Sequence, residues 1–334
     1  MSEVTKEFTH KHAGHCESGV MSTMLSHHGL MMSEPMAFGL SSALNFAYLP
    51  FVKLAGMPLI AYRSIPKAII KGLQKNLGLK MKIETFSNQQ KGQDRLDTLL
   101  EEGKIVGAQT SVFWLPYLPD EMRFHFNGHN LLVYGKEGEN YKISDPVFEH
   151  VVEANEQEFR KARFAKGVMA PKGAIYYPTF VPQAIDYERV VPKAIKAVAK
   201  RMLKTPVPIA GLKGMRYLAK NIRKLESKDR RYARLFLGHI VRMQEEIGTG
   251  GAGFRYIYAS FLQETGKILS NDTLLEASDM MTEVGDSWRE FALLIAKSIR
   301  SKKSETVDFD AIAKKLESIA DEEAVVYKKL LTAF

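Results

Sequence analysis

The chain has 334 residues, a formal net charge of +9 and a hydrophobic fraction of 45%. Because a single core rarely grows beyond about 250–300 residues, this length predicts two domains. One cysteine excludes an intramolecular disulfide framework and indicates a reducing compartment. Since residues 1–7 lack the apolar core of a secretion signal, we expect a cytoplasmic protein.

Cys16 is the first residue that suggests chemistry. It stands in the run Ala-Gly-His-Cys-Glu-Ser-Gly, where a polar leader gives way to a helix-like apolar pattern. The start of a helix exposes unpaired N–H groups and the positive end of the helix dipole, and both stabilise a thiolate. Cys16 is therefore a candidate nucleophile. The alternative is a small buried apolar side chain, the ordinary role of a lone cysteine.

The most apolar stretch of the chain, residues 36–62, is interrupted by Asn45, Pro50, Lys53 and Pro58. A membrane-spanning helix needs about 20 largely uninterrupted apolar residues, so this stretch predicts buried core, or the lining of a tunnel for an apolar ligand. The patterns that follow predict a helix over 67–77, a strand over 79–86, a helix over 94–103 and a strand over 105–113.

A histidine and an aspartate lie on a predicted β-hairpin formed by strands within residues 126–135 and 141–146. A fold at Glu137 or Gly138 pairs residues whose numbers sum to about 274 to 276, which places His129 beside Asp145. A carboxylate in this position orients an imidazole, while the other ring nitrogen takes a proton from a thiol. The alternative is a surface histidine and a turn aspartate.

Two prolines within residues 177–182 end the strand alternation, and helical periodicity follows almost to the end of the chain. The sequence thus predicts a first domain over residues 1–180 and an all-α domain over 181–334. The predicted helices of the second domain run over 191–204, 213–225, 230–247, 253–269, 272–300 and 308–331.

The positive charge is concentrated in residues 189–242, which contain 16 Lys and Arg against only Glu226 and Asp229. This local excess of 14 leaves the remainder of the chain at −5. A one-sided field of this size attracts anions, so an acidic partner protein is expected here. A solvated helix face is the ordinary alternative. Nucleic acid is not expected, because no nucleic-acid-binding motif accompanies the charge.

A glycine-rich run, Ile-Gly-Thr-Gly-Gly-Ala-Gly at 247–253, precedes a predicted helix and could present N–H groups to a phosphate. It lacks a P-loop lysine and does not follow a strand, so a tight interhelical turn is the alternative. No metal site is predicted, because the histidines near the start of the chain lack carboxylate or thiolate partners at ligand spacing.

Several of these motifs resemble the family of the butirosin biosynthesis protein H N-terminal domain. The resemblance covers about residues 8 to 180, and residues 249–262 are similar to the helical domain often found behind it. The motifs that carry the first part are His15–Gly19, His28-Gly29, Ser33–Leu40, Gly128-His129 and Ser144-Asp145-Pro146.

The resemblance implies an α+β, papain-like catalytic domain, followed by the all-α domain. It also implies acyl transfer from an acyl carrier protein thioester to an amine or hydroxyl, with Cys16, His129 and Asp145 as the catalytic positions. Papain-like enzymes usually take one oxyanion donor from a glutamine before the cysteine, but residues 1–15 contain no Gln. The backbone N–H of Cys16 can serve as one donor, and His10, His12 or His15 is expected to supply the other or to support the site locally.

The sequence hypothesis is therefore a cysteine-dependent acyltransferase that binds no cofactor of its own and receives phosphopantetheine on its carrier protein. Residues Thr249, Gly250, Gly251 and Arg255 are candidates for binding that arm, and the basic domain is expected to act as lid and docking surface. The acceptor is a small molecule or a lipid. Two alternatives remain: a papain-like peptidase or amidase, and a noncatalytic module that binds a carrier protein.

Overall fold

The structure, a computed structural model, describes residues 8–54, 56–300 and 307–334. The leader 1–7, on which the expectation of no secretion signal was based, lies outside the described residues. The helices are α1 Cys16–His27, α2 Glu34–Leu40, α3 Ala68–Leu77, α4 Gln89–Glu101, α5 Glu156–Arg163, α6 Tyr187–Lys204, α7 Gly211–Arg223, α8 Arg230–Val241, α9 Arg255–Leu269, α10 Asp272–Arg300 and α11 Phe309–Thr332. The strands are β1 Leu44–Leu54, β2 Met57–Arg63, β3 Lys80–Glu84, β4 Val106–Thr110, β5 His129–Glu137, β6 Asn140–Ser144, β7 Val152–Asn155 and β8 Ile175–Phe180.

The described chain forms two compact units, and their division differs from the predicted cut at residue 180. The first unit contains residues 8–37 and 69–185, and the second contains 38–68 and 186–334. Residues 38–68 join the helical unit because the β1–β2 hairpin packs on its helices. The Tyr48 ring lies against Tyr217 and Phe236, and its N–H donates to the carbonyl of Ile209 over 2.8 Å.

An antiparallel six-stranded sheet, in the order β3-β8-β4-β5-β6-β7, forms the centre of the first unit. Helices α4 and α5 bury an apolar stripe against it. Leu96 and Leu99 from α4, with Phe159 and Ala162 from α5, share one buried cluster with residues of the central strands. The α+β arrangement predicted for this part of the chain is confirmed.

The β5–β6 hairpin carries the histidine and precedes the aspartate, and its register differs slightly from the predicted one. Glu137 pairs with Asn140 and Leu132 with Ser144, so paired numbers sum to 276 or 277 rather than 274 to 276. The turn falls at Gly138, whose φ of +57° a glycine adopts without a Cβ clash.

Only helices and turns, and no strand, occur among the described residues after 180, as predicted. The helix from 272 to 300 has the predicted bounds, and Asn271 caps its start, since its side chain accepts from the N–H of Leu274 over 3.1 Å. The predicted helix over 230–247 ends its α-helical part at Val241 and closes in a π-helical turn. Within the described ranges, no helix combines the length and apolar character needed to cross a membrane.

Gly107 in the central strand β4 leaves room for the ring of Tyr176. A Cβ added to Gly107 would lie 2.2 Å from the Tyr176 ring, whereas one added to Gly135 would meet its nearest neighbour at 3.8 Å. We therefore expect Gly107→Ala to lower the free energy of unfolding by about 1–3 kcal/mol through overpacking. Urea unfolding checks this, with Gly135→Ala as the matched control. Equal effects of the two substitutions would contradict it.

Candidate active site

Cys16 is the first residue of α1, as the sequence predicts, and the residues before it are held in place. The preceding His15 is the N-cap: its Nδ1 accepts from the N–H of Ser18 over 3.3 Å. The carboxylate of Glu34 accepts from the N–H groups of Gly14 and His15, each over 2.8 Å, and from the Ser18 hydroxyl over 3.0 Å. These contacts fix the backbone on both sides of the sulfur.

His129 and Asp145 meet as the hairpin predicts. His129 Nε2 lies 2.7 Å from Asp145 Oδ2, and both side chains are buried. The Tyr117 hydroxyl donates to the same oxygen over 2.8 Å, and the Val147 N–H donates to Oδ1 over 3.3 Å. The carboxylate is thus hydrogen-bonded at both oxygens and anchors one ring nitrogen, which leaves Nδ1 of His129 as the nitrogen free to face the thiol.

The electrostatics favour a thiolate–imidazolium pair. Burial opposes ionisation of Cys16, but its neighbours His15 and His129 and the hydrogen bonds they make to the sulfur hold the pKa of the thiol well below its ordinary value. Burial also lowers the pKa of His129, yet the charge and hydrogen bond of Asp145, with the contact to Cys16, raise it to about 10. Because the pKa of the thiol lies below that of the ring, the proton resides on His129 at neutral pH.

Sequence reasoning missed one polar side chain beside the sulfur. Asn130 Nδ2 lies 3.8 Å from Cys16 Sγ and donates to the carbonyl of Gly128 over 3.1 Å. Its Oδ1 accepts from the Tyr176 hydroxyl over 3.1 Å. Burial raises the pKa of Tyr176 well above the ordinary value, so this phenol keeps its proton and fixes the orientation of the amide. The only sequence signal for Asn130 is that it follows the histidine.

Tyr117 is the second residue whose role the sequence did not reveal. Burial and the neighbouring charge of Asp145 raise the pKa of Tyr117 well above its ordinary value, so the hydroxyl remains a donor. Tyr117 therefore contributes to orienting the carboxylate.

Of the three histidines considered as oxyanion donors, His10 is excluded by its contacts. Its Nδ1 lies 2.7 Å from the Ser144 hydroxyl and its Nε2 2.9 Å from the carbonyl of Phe148, so both ring nitrogens are engaged in holding the leader segment on the hairpin. His10 is a local support. His12 is exposed, and His15 is buried as the N-cap beside the sulfur.

The phosphopantetheine role predicted for residues 249–255 is corrected by the structure. The Arg255 guanidinium is fully buried and paired with Glu323 over 2.9 Å, so it cannot meet a ligand phosphate. Thr249 donates its hydroxyl to the carbonyl of Gln244 over 2.6 Å. The N–H of Gly251 donates to the Thr249 hydroxyl, and the next N–H donates to a carboxylate, that of Glu245.

Two N–H donors of this glycine-rich turn, those of Gly251 and Ala252, are therefore used within the second unit, and the Glu245 carboxylate binds where a phosphate was expected. The alternative interpretation, a tight turn, describes it: Gly250 takes a φ of +65°, and a Cβ there would lie 2.7 Å from the side chain of Ile257. Across the residues that the structure describes, no cluster of three potential metal-ligating side chains occurs.

A cysteine at a helix start beside a histidine and a buried carboxylate, with the histidine on an antiparallel sheet, is the arrangement of a papain-like cysteine site. Residues 15–146 match the family model described as butirosin biosynthesis protein H, N-terminal, so the resemblance seen in the motifs is confirmed. The chain belongs to the family described as a domain of unknown function (DUF4872), whose model matches residues 157–330.

No curated protein matches the chain. A crystal structure of a C39-like peptidase from Bacillus anthracis is similar at 15% identity and a TM-score of 0.38, covering 53% of this chain and 97% of its own.

The thiolate–imidazolium pair predicts how the alkylation rate of Cys16 depends on pH. Because neighbouring groups lower the pKa of the thiol, we expect its alkylation by iodoacetamide to reach half its maximal rate below the pH of about 8.5 at which an ordinary thiol does so. His129→Ala should move this midpoint upward, since it removes the cation that stabilises the thiolate. Mass spectrometry measures the labelling without ambiguity because the chain has one cysteine.

His12→Ala is the matched control, since His12 is exposed and should leave the midpoint unchanged. A wild-type midpoint at or above that of an ordinary thiol would contradict the assignment. So would equal shifts in the two histidine variants.

Proposed function

We propose that this protein is a cysteine-dependent acyltransferase in which Cys16 is the nucleophile, His129 the general acid and base, and Asp145 the group that orients His129. The observation that carries the proposal is a buried thiol at the start of α1 next to an imidazole that is itself bound to a buried carboxylate. The acyl donor we propose is the thioester of an acyl carrier protein. The sequence prediction of a cytoplasmic protein is part of the same proposal.

The reaction has two transfers. The Cys16 thiolate attacks the thioester carbonyl, a C–S bond forms, and the resulting oxyanion collapses to expel the pantetheine thiolate, which takes the proton of the His129 imidazolium. An acceptor amine or alcohol then gives a proton to His129 and attacks the acyl-Cys16 carbonyl. This second step releases the Cys16 thiolate opposite an imidazolium, so the resting state is restored.

Asn130 fills the gap left by the missing glutamine. The backbone N–H of Cys16 at the start of α1 is one donor to the oxyanion. Asn130 Nδ2 has two hydrogens, of which Gly128 takes one, and the nitrogen lies 3.8 Å from the attacking sulfur. We assign the second hydrogen to the oxyanion. The hydrogen bond from the Tyr176 hydroxyl to Asn130 Oδ1 keeps the amide nitrogen, rather than its oxygen, facing Cys16.

The partner follows from the charge of the second unit. The exposed lysines of α6 and α7 repeat at the same spacing, i, i+7 and i+11, which places each set on one face of its helix. They are Lys193, Lys200 and Lys204 on α6, and Lys213 and Lys220 on α7 with Lys224, the residue that caps its end.

Other cations of the basic region are neutralised within the unit. Arg216 pairs with Asp321, and Arg223 binds both oxygens of Glu317 over 2.6 and 2.7 Å. We propose the two lysine stripes, which form no salt bridge among the described residues, as the main source of the field that attracts an acidic carrier protein.

Intact-mass analysis with an acyl carrier protein loaded by thioester tests the enzyme assignment. We expect the mass of one acyl group on the wild type and none on Cys16→Ala. Asn130→Ala should slow acylation at saturating carrier by about 100-fold, because it removes one oxyanion donor while leaving carrier binding unchanged. The exposed Asn140 provides the matched control, Asn140→Ala, which should acylate at the wild-type rate.

No adduct on the wild type, or an equal adduct on Cys16→Ala, would contradict the acyltransferase. Cleavage of peptides without any carrier protein would instead identify a peptidase with the same nucleophile. An unchanged acylation rate in Asn130→Ala would remove the oxyanion assignment and leave the nucleophile intact.

Charge reversal tests the docking surface separately. We expect Lys213→Glu, Lys220→Glu and Lys224→Glu together to weaken binding of the carrier protein by at least about tenfold and to reduce the salt dependence of association. Alkylation of Cys16 should be unaffected. Surface plasmon resonance at several salt concentrations provides the measurement.

The control triple, Lys267→Glu, Lys297→Glu and Lys328→Glu, changes the net charge of the same unit equally at other exposed positions. If both triples weaken binding to the same extent, net charge alone acts and the surface is wrongly placed. If neither does, the carrier protein does not dock on this unit through its lysines.

A further inference from the structure

A second concave site lies in the first unit, on residues that the proposed reaction does not use. It is a cavity of about 530 Å³ beside α5 and the turn after β4. The side chains that matter here are Trp114, Gln157, Arg160, Lys161, Phe164 and Lys166. None of them belongs to the Cys16 site, and the volume falls within the usual range of small-molecule sites.

The charge of this cavity is one-sided. Three of its lining side chains, Arg160, Lys161 and Lys166, are cationic, and none is a carboxylate. Lys161 and Lys166 are exposed at the rim. A concave surface lined by cations and amides, in which only Arg160 is paired with a carboxylate, attracts an anion.

Arg160 has an unused donor at this site. Its Nη2 pairs with Glu156 over 2.7 Å, but its Nε is buried and makes no hydrogen bond. An unpaired buried N–H raises the free energy of the folded state, a penalty that a ligand oxygen removes once Arg160 turns its Nε toward the cavity. A guanidinium also presents adjacent donors in a plane, which matches the oxygens of a phosphate.

An aromatic wall accompanies the charge. The indole of Trp114 is 42% exposed, although it is a large apolar ring, and Lys161 Nζ lies 6.0 Å from its centroid. Phe164 forms another part of the lining and is half-buried. An exposed indole beside cationic groups is suited to a ligand that combines a flat ring with negative charge.

We propose that this cavity binds a nucleoside phosphate. The base stacks on the Trp114 indole, and the phosphates are held by Arg160, Lys161 and Lys166. Each part of the ligand contacts different protein groups: the base packs on the aromatic side chains, and the phosphates bind the three cations. The site is independent of the acyl transfer proposed for Cys16.

Tryptophan fluorescence provides a direct test with the full chain. The protein has two tryptophans, and Trp288 is fully buried, so a change on titration with ADP reports Trp114. We expect a saturable change with ADP, and weaker binding of adenosine and of inorganic pyrophosphate by calorimetry. Trp114→Phe should abolish the optical signal while the chain stays folded.

The paired variant Lys161→Ala and Lys166→Ala should weaken ADP binding by at least about tenfold. The matched control, Lys71→Ala and Lys91→Ala, removes two exposed lysines of the same unit outside the cavity and should leave the affinity unchanged. Absence of saturable ADP binding would overturn the proposal, as would equal weakening by the two lysine pairs.

Adenosine and pyrophosphate test the role of the aromatic ring and the role of the cations separately. Pyrophosphate that binds as tightly as ADP would overturn the role of the ring and leave a plain anion site. Adenosine that binds as tightly as ADP would overturn the role of the cations.

Discussion

The buried contact between Asp145 and His129 is the interaction on which the rest of the site depends. Asp145 is fully buried, and a buried carboxylate without a cation is strongly destabilising. The Tyr117 hydroxyl and a backbone N–H satisfy its oxygens, and the imidazolium supplies the opposite charge. The same contact raises the pKa of His129 and so keeps a proton opposite the sulfur. Stability of the carboxylate and activation of the thiol therefore have one cause.

A second constraint acts on the nucleophile. The thiolate gains from the start of α1 only if the residues before it keep their conformation, and the Glu34 carboxylate fixes Gly14 and His15 through their N–H groups. The same carboxylate binds Ser18 in the first turn. One acidic side chain from α2 thus holds both sides of Cys16, which explains why a polar leader can present a reactive sulfur in a defined position.

Much of the site could be predicted from sequence because its signals are local. Cys16 lies where a helical pattern begins. A hairpin over these residues brings His129 near Asp145 even if the strand register differs by one or two residues from the predicted one. Asn130 and Tyr117 could not be assigned, because their roles depend on where side chains point after folding. Arg255 was misread for the same reason: its partner, Glu323, is 68 positions away, and no pattern around Arg255 announces a buried ion pair.

The division of the chain shows a similar limit. The apolar stretch 36–62 is mostly core, as expected, but Phe51 and Val52 are exposed, and its strands pack with the helical unit. Composition predicts that such a segment is buried and does not say against which partner. Helix bounds in the second unit were predictable because apolar periodicity and caps such as Asn271 are local.

The protonation state of His129 tests the central claim most directly. Nitrogen chemical shifts of the ring, followed by NMR from pH 6 to 11, should show both nitrogens protonated at neutral pH, with loss of a proton only near pH 10. Asp145→Asn should lower that midpoint, because the carboxylate is what raises the pKa. A neutral imidazole at pH 7 in the wild type would contradict the thiolate–imidazolium pair.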